Sequence, residues 1–152
     1  MIIRSAKSED ASSLAHLAAS LGRPQDAVTF LRDISAYSEG FFIAEVDGVL
    51  SGYLIIRTES APKCVQGRSP IQLWRLFVSP EYQGKGVATQ LIGQAVLYAR
   101  AKQHDVVWLG TAADNARAIA LYRKSGFHHV GDALLHQGHG DHEDLIMCCD
   151  AE

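Results

Sequence analysis

The sequence predicts a mixed α/β sheet of about seven strands with four helices. Three observations lead there. An Asp47-Gly48 pair lies between two apolar runs, as a tight hairpin turn requires. Ala88, Leu91, Ile92, Ala95, Val96 and Ala99 recur at the spacing of one helix face. Strand-like and helix-like segments follow the order strand, two helices, three strands, helix, strand, helix, two strands. With 152 residues, 47% hydrophobic and 20% charged, the length suits one globular domain over residues 1–152 and leaves no room for a separate cofactor domain.

Residues 1–4 read as a first strand, after which Ser8 offers an N-cap with Glu9 and Asp10 in the positive first turn of a helix. Leu14, Leu17, Ala18 and Leu21 give that helix a buried face, and Gly22 ends it. Pro24 opens a second helix with Ala27, Phe30, Leu31 and Ile34 on one side, stopping at residues 38–40. Residues 41–46 and 49–58 form the hairpin around Asp47-Gly48, and 59–70 read as a surface loop. Residues 72–78 are apolar enough for a central strand, which Pro80 ends before the long helix that begins at Gly86. A short buried strand at 106–109 precedes a helix at 115–125 with Ala118, Leu121 and Tyr122 on one face, capped by Gly126. Residues 128–135 and 145–149 close the sheet as a pair separated by the polar loop 136–144.

Fourteen basic against seventeen acidic side chains give a net charge of −3, which excludes a general nucleic-acid binder that works by neutralising phosphates. The charge is uneven. Residues 1–62 carry −3, residues 63–124 carry +6 and residues 125–152 carry −6. The middle favours anions and the end favours cations. Cys64, Cys148 and Cys149 are too few for a disulfide framework, so a reducing, cytoplasmic setting is expected. No apolar run reaches the roughly 18 residues that span a bilayer, and the opening MIIRSAKSED turns polar too early for a signal peptide, so no membrane partner is expected.

The chemical signal lies where the central strand meets the long helix, in the run Leu76-Phe77-Val78-Ser79-Pro80-Glu81-Tyr82-Gln83-Gly84-Lys85-Gly86-Val87-Ala88. Small residues at 84, 86 and 88 let main chain approach a ligand, and the first helical turn presents unpaired N–H groups with a positive dipole. That combination cradles a pyrophosphate, and Lys85 adds a positive charge. The same glycines also serve a plain strand-to-helix turn. A Walker loop would need Ser or Thr after Lys85, and a dinucleotide fingerprint would need Gly or Ala at Thr89; both fail on residue identity.

Gln83, Gly86 and Ala88, following the strand end Leu76-x-Val78-x-Pro80, resemble the central Arg/Gln-x-x-Gly-x-Gly/Ala motif of the GCN5-related N-acetyltransferase family. A second block supports the likeness: Asn115, Ala116, Ala118, Leu121-Tyr122 and Gly126-Phe127 look like that family's second motif at its usual spacing. The Glu45-Val46-Asp47-Gly48 turn before Gly52-Tyr53 is similar to its early hairpin. The resemblance covers essentially the whole chain and is strongest over residues 73–127.

The resemblance implies the family fold, with a sheet splayed between its fourth and fifth strands, and acetyl-CoA bound there as co-substrate. The pantetheine arm would pair with the main chain of Leu76, Phe77 and Val78, and the Leu76 amide would donate to the thioester oxygen. Gln83, Gly84, Lys85, Gly86, Val87 and Ala88 would hold the pyrophosphate, while Asn115 and Arg117 would contact the cofactor. Tyr122 would be the acid that protonates the departing thiolate. Outside the motif it reads as one more amphipathic helix residue. Some relatives carry a glutamate base early in the central strand, but here the strand reads Ile71-Gln72-Leu73-Trp74-Arg75, and neither Gln72 nor Arg75 accepts a proton at neutral pH. Glu81, His128, the loop acids and water-mediated loss to solvent stay open, and no base is assigned.

The resemblance also implies a primary amine as acceptor. Trp74 to Val78, Trp108-Leu109-Gly110 and Asp144 to Met147 look most similar to the PaiA-like polyamine branch, and acids beside the cleft would suit a polyamine. A protein or peptide amine, an aminoglycoside, and a non-catalytic acyl-CoA-binding regulatory module stay open as alternatives. His136, His139 and His142 lie beside three acids, but irregular chain gives these steps no ligand geometry, so no metal is expected and a cation-recognising rim is the middle reading. Homodimers are common in the family, and no face of this sequence demands one.

Overall fold

The computed structural model describes residues 1–135 and 143–152. In chain order it contains β1 (Ile2–Ser5), α1 (Ala11–Ser20), α2 (Ala27–Ala36), β2 (Phe41–Val46), β3 (Val49–Arg57), β4 (Pro70–Val78), α3 (Val87–Ala101), β5 (Val106–Ala112), α4 (Ala116–Lys124), β6 (His128–Leu134) and β7 (Glu143–Asp150). Single 3-10 turns at Ser8–Asp10 and Pro80–Tyr82 lead into α1 and towards α3. The strands form one mixed sheet in the order β1-β2-β3-β4-β5-β7-β6. The β4–β5 pair is parallel, whereas β1–β2, β2–β3, β5–β7 and β6–β7 are antiparallel. By contacts the chain gathers into two compact units, Met1–Ile56 with Arg75–Ala95, and Arg57–Trp74 with Val96–Glu152.

In the first unit the β2–β3 turn forms as the sequence requires, with Asp47 and Gly48 at φ 51° and 77°. Two helix starts differ from expectation. Ser8 does not cap α1, because it lies within the 3-10 turn and the Asp10 carboxylate instead accepts from the Lys7 N–H at 2.7 Å. Asp10 also takes two hydrogen bonds from the Arg4 guanidinium, each 2.9 Å, while Arg4 reaches Glu45 through Nε at 2.9 Å. The second helix begins at Ala27 rather than at Pro24, since Asp26 accepts from the Thr29 N–H at 2.8 Å and so satisfies an otherwise orphan donor. Leu31 is 43% exposed, because Phe30 and Ile34 make the inward face of α2. Tyr53 lies amid Phe30, Phe41 and Phe77, with ring centroids 5.4 to 5.6 Å away.

In the second unit β5 runs to Ala112, three residues beyond the apolar stretch that announced it, because β7 pairs with it throughout. Val106, Trp108, Ile146 and Cys148 form a buried cluster there. Ala61, Cys64 and Val65 pack on that cluster, so part of the expected surface loop 59–70 is a cover for the sheet, and β4 already begins at Pro70. Asp105 anchors the end of that cover by accepting from the Arg68 and Ser69 N–H groups at 2.7 and 2.8 Å. Glu143 and Asp144, expected in the last loop, are the first residues of β7. Residues 136–142, including the three histidines of the cation-rim reading, lie outside the described residues.

The Arg4 hydrogen bonds hold the Asp10 carboxyl below the usual carboxylate range, against the opposing effect of its burial. A depressed folded-state value stabilises the fold above the unfolded value and loses that contribution as pH falls through the folded one. Asp10→Asn is therefore expected to lower the unfolding free energy by about 1–2 kcal/mol near neutral pH. The gap from wild type should close in urea melts taken well below pH ~4.

Candidate functional site

The end of β4 and the start of α3 belong to the first unit and are built from main chain. The Ser79 N–H donates to the Ser51 carbonyl at 2.7 Å, tying the strand end to β3. Gly52 makes that approach possible, since a Cβ there would meet the Phe77 carbonyl oxygen at 2.9 Å. Gln83 spends its carboxamide on the loop itself, donating to the Val78 carbonyl at 3.1 Å. Gly84 and Gly86 hold φ of 79° and 84°, a region costly for side-chain-bearing residues, and nothing lies within 4 Å of where their Cβ atoms would be. The turn thus needs glycine for its backbone and leaves open space above it.

Helix α3 then begins at Val87, whose side chain is buried and fixes the helix start. Its amide and that of Ala88 belong to the first turn, where N–H groups have no intrahelical acceptor and the dipole is positive. The Lys85 ammonium lies 5.5 Å from the centre of the Tyr82 ring, which keeps a cation beside the turn. Phe77 packs on Tyr53 and carries the Arg23 guanidinium 5.4 Å above its own ring. The predicted residues Leu76, Phe77, Val78 and Gln83 to Ala88 therefore share one unit, and what they offer is a set of amides suited to an anion.

In the second unit the β4–β5 ladder consists of Pro70↔Val106, Ile71↔Val107 and Gln72↔Trp108 and goes no further, although β5 continues to Ala112. Pairing between the two strands ends at this rung. Main-chain groups of β5 on the β4 side beyond Trp108 are released from the ladder and need another partner. At the last rung Gln72 is only 1% exposed, and its Oε1 accepts from the Arg57 Nε at 3.0 Å. The Arg57 guanidinium lies 3.9 Å from the centre of the Trp74 ring, and its Nη2 is 3.4 Å from Glu59. The sequence reading missed this group, because only long-range pairing brings the polar end of one apolar strand to the middle of another.

Helix α4 carries the remaining predicted residues. Asn115 uses its side-chain oxygen to cap the helix, accepting from the Ala118 N–H at 3.2 Å. Arg117 is exposed in the first turn, and Ala118, Leu121 and Tyr122 are half-buried rather than buried. The Tyr122 ring meets Phe127 edge-on with centroids 5.9 Å apart, and burial pushes its hydroxyl up to about 12. At neutral pH that hydroxyl holds its proton, as a donor must. Among the described residues no group of three or more His, Cys, Asp or Glu side chains converges as metal ligands, and no helix is long and apolar enough to cross a membrane.

Comparison with known proteins places these features in a family. The acetyltransferase (GNAT) family profile matches residues 9–127. The N-alpha-acetyltransferase RimI of Mycobacterium tuberculosis is 32% identical over 128 residues, covering 80% of this chain and 75% of that protein. An uncharacterised N-acetyltransferase of Methanocaldococcus jannaschii is 30% identical over 89 residues, 59% of this chain and 39% of that one. The chain spans less than half the length of several curated relatives it matches. Among solved structures, Ard1 from Thermoplasma volcanium superposes with a TM-score of 0.80 at 21% identity, over 98% of this chain and 96% of the other. The yncA protein of Salmonella typhimurium, solved with its cofactor acetyl-CoA, gives 0.79 at 21% identity over 99% of this chain and 94% of the other. With the family profile matched across most of its length and the same fold in its structural neighbours, the chain belongs to the acetyltransferase (GNAT) family.

Proposed function

We propose that the chain works as one catalytic domain that transfers the acetyl group of acetyl-CoA to an amine, and that the acceptor is the α-amine of a peptide or protein. The observation that carries the cofactor half is the open glycine turn at the N-terminus of α3, in a chain of this family. Amides of residues 84–88 hold the pyrophosphate, the main chain of Leu76 to Val78 receives the pantetheine arm, and the Leu76 amide donates to the thioester oxygen as negative charge grows on it. The amine nitrogen bonds to the thioester carbon, the carbon–sulfur bond breaks, and the leaving thiolate takes the Tyr122 proton. The acceptor's surplus proton passes to solvent, and solvent restores the Tyr122 hydroxyl.

The acceptor half is supported by relatives that match most of this chain. Both the Mycobacterium tuberculosis protein and one from Sulfurisphaera tokodaii, 30% identical over 78% of this chain and 72% of its own length, are N-alpha-acetyltransferases. The polyamine reading rested on the resemblance of Trp74 to Val78, Trp108 to Gly110 and Asp144 to Met147 to the PaiA-like branch and on the acidic end of the chain, where three of the described acids are paired or buried. Asp132 pairs with His129 at 3.0 Å, Glu152 with Arg68 at 3.0 Å, and Asp144 is 4% exposed. Free thiols at Cys64, Cys148 and Cys149 agree with a reducing, cytoplasmic setting.

A thiol-release assay with acetyl-CoA over α-amine peptides, lysine peptides and polyamines is expected to give turnover with the first group. Tight CoA binding with no amine raising turnover above background hydrolysis would leave a binding module instead of an enzyme. Tyr122→Phe should lower kcat by about 100-fold with little change in acetyl-CoA affinity. Gly86→Glu should raise the acetyl-CoA dissociation constant at least about tenfold in calorimetry, through backbone strain and a negative charge beside the pyrophosphate. Unaltered affinity would reduce the loop to a turn.

A further inference from the structure

We propose that Cys64 and Cys148 form an oxidation site, at which peroxide converts their two thiols into a disulfide that ties the segment covering the sheet to the middle of β7. The site lies entirely within the second unit and is independent of the acetyl-transfer reading. All three cysteines of the chain are free thiols, yet the fold divides them into a pair and a single one. Cys64 and Cys148 line the same cavity of about 400 Å³, with His128 and Asp150 also on its wall. Cys149 follows Cys148 in the strand, so its side chain leaves from the opposite face. Its sulfur lies against Gly126, 3.6 Å from where a Cβ there would be.

The strand registers bring the paired sulfurs near one another. Gly131 of β6 is opposite Ile146 of β7, and Cys148 lies two residues further along on the same face, about 7 Å away along the strand. The Cys64 sulfur sits over Gly131, 2.9 Å from where its Cβ would be, and Cys64 packs on the buried cluster that contains Cys148. The remaining gap is closed from one side. Cys148 is held in a strand paired on both edges, opposite Trp108 and His128. Cys64 lies in irregular chain between β3 and β4, in a turn closed by the Val65 N–H on the Pro62 carbonyl at 3.0 Å. A disulfide accepts Cα separations up to about 7 Å, so a shift of that turn across the bare Gly131 backbone completes the geometry. Asp105 already anchors the end of the cover at Arg68 and Ser69, and the bridge anchors its middle.

The two thiols differ in exposure, which sets the order of the steps. Cys148 is 5% exposed, and burial, with Cys64 and Asp150 nearby, pushes its thiol up to about 11. Cys64 is half-buried at the cavity and meets peroxide first. Having lost its proton to solvent, its sulfur bonds to one peroxide oxygen, the O–O bond breaks, and the departing hydroxide is protonated to water. Cys64 is then a sulfenic acid. The Cys148 sulfur bonds to the Cys64 sulfur, the S–O bond breaks, and hydroxide leaves as water with the proton that Cys148 gives up. His128, opposite Cys148 in the register, and Asp150 line the cavity to relay that proton. Two thiols have lost two electrons, and peroxide has become two waters. In a reducing setting the bridge is transient, formed under peroxide and removed by small thiols.

The test exposes the full folded chain to a small excess of hydrogen peroxide and reads intact mass, a non-reduced peptide map and heat unfolding. The expected product weighs about 2 Da less than the reduced chain, carries a peptide linked through Cys64 and Cys148, and reverts with dithiothreitol. Its unfolding midpoint should lie at least about 5 °C above that of the reduced chain. Cys149→Ser should keep the linkage and the rise, whereas Cys64→Ser should lose both. Cys148→Ser should stop at a Cys64 sulfenic acid that dimedone traps. If Cys148→Ser does not fold, the wild-type map together with Cys64→Ser decides the matter. Linkage through Cys149, linkage between chains, or oxygen adducts without linkage on the folded wild-type chain overturns the proposal and leaves acetyl transfer untouched. A linked chain whose midpoint does not rise overturns the tie between cover and sheet.

Discussion

Backbone groups removed from water must be paired, and in this chain the partnership between β4 and β5 lasts only three residue pairs. Much else is arranged around that interruption. β5 needs a full-length neighbour on its other edge, which β7 supplies from Val106 to Ala112. The rung at which pairing stops carries a buried glutamine whose oxygen is satisfied by Arg57, so the ladder ends on an ordered polar group and not a frayed strand. An incomplete parallel ladder in an otherwise paired sheet is an invitation to an extended ligand that brings its own donors and acceptors.

The glycine turn poses a related problem in a different form. Gly84 and Gly86 adopt backbone angles that other residues reach only at a cost, and Gln83 is used to brace the loop through Val78. The chain accepts these local costs because α3 is anchored independently. Val87, Leu91, Ile92, Ala95 and Ala99 are buried along one face, so the helix stays in place whether or not its first turn has a ligand. Rigidity of the helix and openness of its N-terminus are thus secured by different residues.

Most of the element order was legible because apolar periodicity and turn chemistry are local. The Asp47-Gly48 hairpin and the stripe from Leu91 to Ala99 needed nothing beyond neighbouring residues. Helix starts were less legible. Asp26 sets the start of α2 by accepting from the Thr29 N–H, and Ser8 is drawn into a 3-10 turn whose Asp10 carboxylate is held by Arg4 and the Lys7 N–H. The cofactor loop could be read from spacing, since glycine positions and a helix start are written in sequence. The Arg57–Gln72–Trp74 group could not, because residue 57 and residues 72 and 74 are joined only by strand pairing across the covering segment.

That covering segment has an implication of its own. A Cβ at position 131 would lie 2.7 Å from the Cβ of Cys64 and 2.9 Å from its sulfur. The glycine in β6 and the cysteine above it therefore occupy one shared volume, and neither can be exchanged freely while the other is kept. The two positions therefore set one volume limit between them: a larger residue at one calls for a smaller one at the other, or the cover is pushed off the Val106, Trp108, Ile146 and Cys148 cluster on the face of the sheet that carries Gln72.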